Sequence, residues 1–165
     1  MNSTVKVCFV CLGNICRSPL AQGVFESLVK ERGLQDRIII SSAGVSGWHV
    51  GNPPDARMQQ TARDHGIHLN SYGRQFQSSD FKEIDLVLAM DNSNLSSLKQ
   101  MRPESELHEK LFLFRSFDPQ HNNDLDVPDP YYGGNKGFET VYQIVDRTCP
   151  KVLDHLKIIL AKKNE

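Results

Sequence analysis

Residues 5–19 read VKVCFVCLGNICRSP, and this stretch decides the fold of the 165-residue chain. Its first six residues form a mostly apolar run rich in β-branched side chains, which is typical of a buried strand. A turn around Gly13 and Asn14 follows. Ser18 and Pro19 are then the residue types favoured at a helix N-cap and at the first helical position. The stretch therefore predicts a strand, a tight loop and a helix in direct succession.

Strand and helix patterns alternate along the rest of the chain. Further strands are predicted at residues 37–42, 84–89 and 110–114, and further helices at 56–65, 93–101 and from about 135 onward. Gly33 and Gly66 are expected to end the first two helices, and Pro150 to kink or split the last one at Cys149. The alternation predicts an α/β fold, with a four-stranded parallel sheet, helices on both faces and an anion loop between strand 1 and helix 1.

Composition indicates one ordinary globular domain spanning residues 1–165. Hydrophobic residues make up 39% and charged residues 24% of the chain, and the formal net charge is −1. That charge gives no overall attraction to nucleic acid or anionic lipid. No apolar run approaches the roughly 20 residues of a membrane helix, and the N-terminus shows no secretory signal pattern. We therefore expect neither nucleic acid nor a membrane among the partners.

Four cysteines are present, and three of them lie between residues 8 and 16. This clustering indicates a reactive site in a reducing compartment rather than a disulfide scaffold, so we expect a cytoplasmic location. Cys8 alternates within the first strand and is expected in the core. The six histidines do not pair at ligand spacing, apart from His65 and His68, which are expected at the surface. No metal and no other cofactor is predicted.

The segment from Cys11 to Ser18 has the pattern C-x5-R-S between a strand and a helix. A turn of this length can direct successive backbone N–H groups inward, and the helix adds its own free N–H groups and positive dipole end. A phosphate-sized dianion fits such a cradle, and Arg17 can close it with two parallel hydrogen bonds. The loop residues expected to bind this anion are Leu12, Gly13, Asn14, Ile15 and Cys16.

Cys11 is the predicted nucleophile. A helix N-terminus and a neighbouring arginine favour the thiolate form of a cysteine, which is the form that attacks phosphorus. Ser18 is placed to hydrogen-bond that sulfur and stabilise it as a leaving group. A C-x5-R pattern alone is weak, since Cys11 could simply be a buried cysteine that ends a strand. Its place after a strand, the Gly-Asn turn and the helix start together favour the reactive role.

Residues 10–19 resemble the signature loop of the low-molecular-weight protein tyrosine phosphatases. Further similarities are Ser42-Ala-Gly, Trp48, Arg74-Gln75, Ala89-Met-Asp91 and Asp129-Pro-Tyr-Tyr132. The resemblance runs from about residue 5 to residue 145, and the loop together with Asp-Pro-Tyr-Tyr is highly specific. It implies a phosphatase that acts on phosphotyrosine-containing proteins or peptides.

The resemblance implies that substrate phosphorylates Cys11 while Asp129 protonates the leaving phenolate. Asp129 then activates the water that hydrolyses the cysteinyl-phosphate. Phosphoryl transfer to sulfur needs a proton donor for the departing oxygen, and a loop carboxylate can serve. Taken alone, Asp129 would be an ordinary turn residue before Pro130. Only its pairing with Cys11 makes it catalytic.

Aromatic side chains form the binding slot in relatives, and here they correspond to Trp48 and Tyr131. A tyrosyl ring would stack between these two side chains. The alternatives are a partly buried Trp48 and a surface turn for Tyr131 and Tyr132. Loop positions such as His49 and Asn52 are expected to tune which phosphopeptide fits.

Residues outside the anion loop are also expected to support it. Ser42 either hydrogen-bonds Asn14 or caps the end of a strand. Asp91 either orients Arg17 or a loop amide, or caps the next helix, and capping is the expected role. Many relatives carry a histidine where this chain has Ser71. In them it supports the loop asparagine, so that support has to come from elsewhere here.

Cys16 is not needed for phosphatase chemistry. Its sulfur could come within bonding range of Cys11 and trap an oxidised Cys11 as a disulfide. The resemblance favours this trap, since relatives pair the equivalent two cysteines. The alternative is that Cys16 points into the core.

Three other functions use related features. An arsenate reductase shares the fold and the loop but needs a relay of further cysteines, and only Cys149 lies downstream. A phosphohistidine or phosphoarginine phosphatase would differ only in the shape of the slot. An inactive phospho-binding module typically loses the nucleophile or the acid, whereas Cys11, Arg17 and Asp129 are all present.

Overall fold

A computed structural model of the chain describes residues 3–102, 104–131 and 134–165. Four parallel strands form its sheet, in the order β2-β1-β3-β4. They are β1 (Val5–Cys11), β2 (Ile38–Gly44), β3 (Leu86–Ala89) and β4 (Leu111–Leu113). The predicted four-stranded parallel sheet is confirmed, and β1, which leads into the anion loop, is one of its two central strands.

Five α-helices surround the sheet in the part of the chain that the structure describes. They are α1 (Arg17–Glu31), α2 (Ala56–Asp64), α3 (Asp80–Glu83), α4 (Asn92–Met101) and α5 (Asn135–Lys163), with 3₁₀ turns at Ser105–Lys110 and Phe114–Phe117. Gly33 and Gly66 follow the first two helices with φ of 70° and 78°. Glycine adopts this left-handed geometry without a steric penalty, so both predicted helix ends are confirmed.

The two faces of β1 pack against different helices. Val5, Val7 and Phe9 belong to the larger core, with α1 and α5, while Cys8 and Val10 belong to a second core with α4. The Phe9 ring meets Phe25 and Phe114 edge to face at 5.6 and 5.9 Å. Burying such a side chain contributes about 1.5–3 kcal/mol. Helices therefore cover both faces of the sheet, as predicted.

Cys8 is fully buried, as predicted, and its burial raises the pKa of the thiol to about 11. It is therefore a core thiol rather than a reactive one.

For Pro150 we predicted either a kink in the last helix or a split at Cys149. The split does not occur, because α5 continues through Pro150. Proline removes one backbone N–H donor from the helix. On both sides of it, however, α5 buries apolar side chains in the same core, among them Val145, Val152 and Leu153. Tertiary packing therefore maintains the helix across a residue that would interrupt it in isolation.

The two ends of the chain meet beside the sheet. The backbone N–H of Ser3 donates to Asn164 Oδ1 at 3.4 Å. Lys163 Nζ donates to the Thr4 carbonyl at 3.0 Å and to Asp85 at 2.9 Å. The end of α5 is thus fixed to the residues that lead into β1. No helix among the described residues is both long and apolar enough to cross a membrane.

Candidate active site

The loop between β1 and α1 turns its carbonyl groups away from its centre. The carbonyls of Cys11, Leu12 and Ile15 accept hydrogen bonds from Val45, Ser46 and Asp55 at 3.0, 3.0 and 2.8 Å. The backbone N–H groups of residues 12–16 donate to no atom of the described residues. Unpaired N–H groups at the start of a helix form an anion-binding nest. The geometry therefore supports the predicted phosphate cradle.

Two positions allow the tight turn. Asn14 has a φ of 58°, in the left-handed region that asparagine tolerates better than most residues. Gly44, at the end of β2, lies against the loop, and a Cβ there would be 2.8 Å from the Leu12 carbonyl oxygen. Any larger residue at position 44 would displace the loop.

The buried side chain of Asn14 holds the loop in shape. Its Nδ2 donates to Ser18 Oγ at 2.7 Å and to Ser42 Oγ at 3.0 Å, and its Oδ1 accepts from the Arg74 backbone N–H at 3.0 Å. The proposed Ser42–Asn14 contact is therefore present. These three bonds also satisfy the asparagine amide without the histidine that Ser71 replaces.

Ser18 does not cap α1, contrary to our prediction. The helix begins at Arg17, its N-cap is Cys16, and no side chain caps it. Ser18 Oγ instead lies 3.0 Å from Cys11 Sγ. Because Asn14 Nδ2 can only donate to that hydroxyl, the hydroxyl proton can go either to the sulfur or to the more distant Ala43 carbonyl at 3.4 Å. The Ser18 hydroxyl therefore contacts the Cys11 sulfur and does not cap α1.

Arg17 is buried, yet it keeps its charge. Nη1 donates to Asp91 Oδ2 at 2.7 Å and to the Val127 carbonyl at 2.8 Å. Nη2 lies 3.6 Å from Asp129 Oδ2. Burial alone would lower the pKa of Arg17, but the Cys11 sulfur and the carboxylates of Asp91 and Asp129 raise it. A permanent cation therefore stands beside the sulfur.

Asp91 performs both of the roles that sequence presented as alternatives. Oδ1 accepts from the Asn94 backbone N–H at 2.8 Å and so caps α4, while Oδ2 orients Arg17. The two oxygens of one carboxylate connect the start of α4 to the site.

Asp129 reaches the site from the loop before α5. Its Oδ1 accepts from the Tyr131 backbone N–H at 3.0 Å, which leaves Oδ2 facing Arg17. Its side chain is 38% exposed, so water reaches it. The structure therefore brings the predicted acid to the predicted nucleophile and arginine, although Cys11 and Asp129 are far apart in sequence.

An open cavity above the anion loop is lined by Trp48 and Tyr131 as well as by Cys11, Arg17 and Asp129. Trp48 is 77% exposed, which excludes the partly buried alternative for this residue. Tyr132 lies outside the described residues. The cavity has an apolar rim and a cationic floor, which suits an aryl phosphate.

His49 also lines the cavity. A Cβ on Gly13 would be 3.0 Å from His49 Cδ2, so the imidazole lies directly over the anion loop. Its Nδ1 is 3.2 Å from Asn52 Nδ2.

Comparison with known proteins agrees with this geometry. Residues 6–162 match the family model of low molecular weight phosphotyrosine protein phosphatases. The chain belongs to this family. A low molecular weight protein-tyrosine-phosphatase from Streptomyces coelicolor is 46% identical to it, over 91% of this chain and 92% of the relative.

Solved structures of the family superpose closely. A protein tyrosine phosphatase from Entamoeba histolytica, with Hepes in its active site, has a TM-score of 0.89 and 38% identity over 93% of this chain and 97% of that one. The Drosophila arginine phosphatase has a TM-score of 0.82 and 38% identity over 93% and 98%.

A buried ionic cluster, not predicted from sequence, supports the acid loop of this phosphatase-family chain. Arg115 donates to Asp118 at 3.0 Å and to the Asp126 carbonyl at 2.8 Å. Arg147 of α5 donates to both oxygens of Asp118 at 2.8 and 3.0 Å. The Asp118 side chain is fully buried, and these hydrogen bonds outweigh the effect of its burial and lower its pKa. The loop that carries Asp129 is thus attached to α5.

All four cysteines are free thiols. Cys16 is buried in the larger core yet borders the same cavity as Cys11. Burial raises the pKa of the Cys16 thiol, and the nearby Asp55 carboxylate and Cys11 sulfur raise it further. Cys149 is buried in α5, so it is not placed to serve as the relay that an arsenate reductase needs. No group of three or more metal-ligating side chains occurs among residues 3–102, 104–131 and 134–165.

Proposed function

We propose that this protein is a cysteine-dependent phosphatase that hydrolyses phosphotyrosine in proteins or peptides, together with simple aryl phosphates. One observation carries the proposal. Cys11, Arg17 and Asp129 line one cavity together with the loop after Cys11, whose backbone N–H groups at residues 12–16 are unpaired among the described residues. Each of these groups has a necessary part in phosphoryl transfer to sulfur.

In the first step the Cys11 thiolate attacks phosphorus in line with the phenolic oxygen. The S–P bond forms as the P–O bond breaks, and Asp129 gives its proton to the departing phenolate. The N–H groups of the loop and the Arg17 guanidinium hold the three equatorial oxygens while negative charge spreads over them.

In the second step the Asp129 carboxylate takes a proton from a water molecule. The water oxygen attacks phosphorus, the S–P bond breaks, and inorganic phosphate and the Cys11 thiolate result. The Ser18 hydroxyl, 3.0 Å from the sulfur, stabilises the thiolate as it leaves. Every group in the two steps belongs to the chain, so the proposal includes no metal or other cofactor.

The slot favours a flat ring. Cys11 is only 3% exposed, so its sulfur is recessed in the cavity that the side chains of Trp48 and Tyr131 also line. A phenyl ring spans this depth and stacks on both walls, whereas the short side chain of phosphoserine does neither.

Turnover of an aryl phosphate, compared with turnover of phosphoarginine and of arsenate, tests the proposal. We expect hydrolysis of the aryl phosphate at the highest kcat/KM. Exclusive hydrolysis of phosphoarginine would instead make the chain an arginine phosphatase, and thiol-dependent reduction of arsenate would make it a reductase.

Asp129→Asn should slow the enzyme according to the leaving group. Substrates with basic phenolates need the proton of Asp129 and should lose about 10²–10⁴-fold in kcat. Activated aryl phosphates need little protonation and should lose much less. A leaving-group series measures this difference, and Asp154→Asn on the exposed face of α5 serves as the control. Equal slowing across the series would mean that Asp129 is structural.

We also propose that Cys16 protects Cys11 from irreversible oxidation. Peroxide converts the Cys11 thiolate to a sulfenic acid and is itself reduced to hydroxide. The Cys16 thiol then attacks the sulfenic sulfur, an S–S bond forms and water leaves. Their shared cavity supports this pairing.

The test is peroxide inactivation of wild type and Cys16→Ser, followed by treatment with a dithiol. Wild type should recover its activity, and phosphate should protect it. Cys16→Ser should keep most of its activity before oxidation but fail to recover afterwards. Cys149→Ser, a change in a buried thiol remote from the cavity, should behave like wild type. Full recovery of Cys16→Ser would remove the protective role.

We place the activity in the cytoplasm, acting on phosphoproteins there as a single domain of residues 1–165. The four free thiols support this location, because a catalytic thiolate needs a reducing compartment. Fractionation of cells that express the protein would test the location.

A further inference from the structure

Arg57, in the first turn of α2, makes two contacts with Tyr131, which forms one wall of the slot. Its Nη2 donates to the Tyr131 carbonyl at 3.1 Å. Its guanidinium carbon lies 5.5 Å from the centre of the Tyr131 ring and 4.8 Å from that of Phe138. Phe138 is fully buried in α5. The guanidinium therefore joins an exposed loop residue to a fixed point of the core.

Asp55 holds Arg57 in this place. Arg57 Nε and Nη2 donate to the two carboxylate oxygens of Asp55 at 3.1 and 3.0 Å, a paired geometry that restricts the guanidinium plane. The Asp55 backbone N–H in turn donates to the Ile15 carbonyl at 2.8 Å. A continuous chain of contacts thus runs from the anion loop, through Asp55 and Arg57, to Tyr131.

The contacts at Tyr131 also affect the position of Asp129, the proposed general acid. The backbone N–H of Tyr131 is the donor that holds Asp129 Oδ1 at 3.0 Å. Arg57 holds the carbonyl of the same residue. Fixing Tyr131 therefore fixes both a wall of the slot and the turn that presents the acid.

We propose that Arg57, oriented by Asp55, is a positioning residue that sets the aryl slot by holding Tyr131 at the cavity that Trp48 also lines. The inference rests on the proposed function, since it assigns Tyr131 to the binding of an aryl ring. A wall on an exposed turn would otherwise have to be ordered when the ligand binds, and that ordering would weaken affinity. With Arg57 in place, the wall is ordered before the ligand arrives.

The proposal predicts different effects on the binding of an aromatic ring and on the binding of phosphate. The phosphate cradle consists of the residue 12–16 N–H groups and Arg17, none of which bonds to Arg57. Loss of Arg57 should therefore weaken ligands that have an aromatic ring and spare inorganic phosphate. A merely structural role in α2 would lower the thermal stability without changing the ratio of the two affinities.

The experiment measures the dissociation constants of benzylphosphonate and of inorganic phosphate by calorimetry, so it does not depend on turnover. Arg57→Ala should raise Kd for benzylphosphonate about tenfold, the size expected from a lost cation–π contact and a charged hydrogen bond together. Kd for phosphate should stay within about twofold. Asp55→Asn, which keeps an N-cap for α2, should shift the same ratio by a smaller factor. Arg63→Ala, an exposed arginine of the same helix, should shift neither constant.

A double-mutant cycle with Tyr131→Ala completes the test. If Arg57 acts through the ring, Tyr131→Ala and the double variant should bind benzylphosphonate almost equally. Fully multiplicative effects, or a parallel rise in Kd for phosphate, would overturn the inference. Failure of wild type to hydrolyse aryl phosphates would refute the proposed function instead. The role of Arg57 would still be tested by Kd for benzylphosphonate and Kd for phosphate.

Discussion

Replacing Cys11 by serine should abolish turnover, with kcat reduced by about 10⁵-fold or more, as the loss of a nucleophile does in other covalent enzymes. Phosphate should still bind, because the cradle consists of backbone N–H groups and Arg17 rather than the sulfur. Steady-state kinetics and calorimetry with inorganic phosphate measure the two effects separately.

Intact-protein mass measurement after rapid quenching adds a second readout. Wild type should carry one phosphoryl group during turnover, and Cys11→Ser should carry none. Cys149→Ser is the matched control, since it changes a buried thiol outside the cavity. Retained hydrolysis in Cys11→Ser would remove Cys11 from the mechanism.

Replacing Arg17 by alanine should weaken both binding and rate, with kcat/KM lower by about 10³–10⁵-fold, the range found when an arginine on a transferring phosphoryl group is lost. The reason is twofold. The equatorial oxygens of the phosphoryl group lose their bidentate donor. The carboxylates of Asp91 and Asp129 also lose the cation that balances them, so their negative charge faces the anion site.

Arg17→Lys is the informative companion variant. It keeps the charge but not the planar fork, so it should recover little of the lost rate. Thermal unfolding of both variants shows whether loss of the Asp91 contact has damaged the fold. Near-normal KM and kcat in Arg17→Ala would contradict the role of Arg17 as a phosphate clamp.

Local periodicity was enough to predict the fold. Buried parallel strands are nearly continuous apolar runs, and the helices between them have apolar faces closed by glycine. The strand predicted at residues 84–89 is found at Leu86–Ala89, and the helix predicted at 93–101 is found at Asn92–Met101. The split at Cys149, one of the two outcomes predicted for Pro150, does not occur, because packing of α5 in the core outweighs a local preference.

The site was predictable only where its residues are adjacent or form a recognised motif. Cys11, Arg17 and Asp129 were predicted in this way, and the structure places all three around one cavity. The contacts of Ser42 and Asp91 were predicted only as alternatives. The contacts among Arg115, Asp118 and Arg147, and between Arg57 and Tyr131, were not predicted, because these residues meet only after folding. Nothing in the local sequence distinguishes these charged residues from solvated ones. For Ser18, the expected contact with the Cys11 sulfur is present and only the expected cap is wrong, because a serine before a proline is typical of a cap whatever else lies beside it.

The meeting of the chain ends has a consequence for the order in which the protein forms. The segment with Cys11 is synthesised before α5, yet its strand is central, and the residues that lead into it, Ser3 and Thr4, are bonded to Asn164 and Lys163. Contacts between such distant residues close late, because the loop they complete spans nearly the whole chain. The last helix should therefore leave the ribosome before these contacts can form and fix β1 in the sheet. A nascent chain that stops short of α5 should remain open to proteases, because the loop that carries Asp129 is not yet attached to α5 through Asp118 and Arg147.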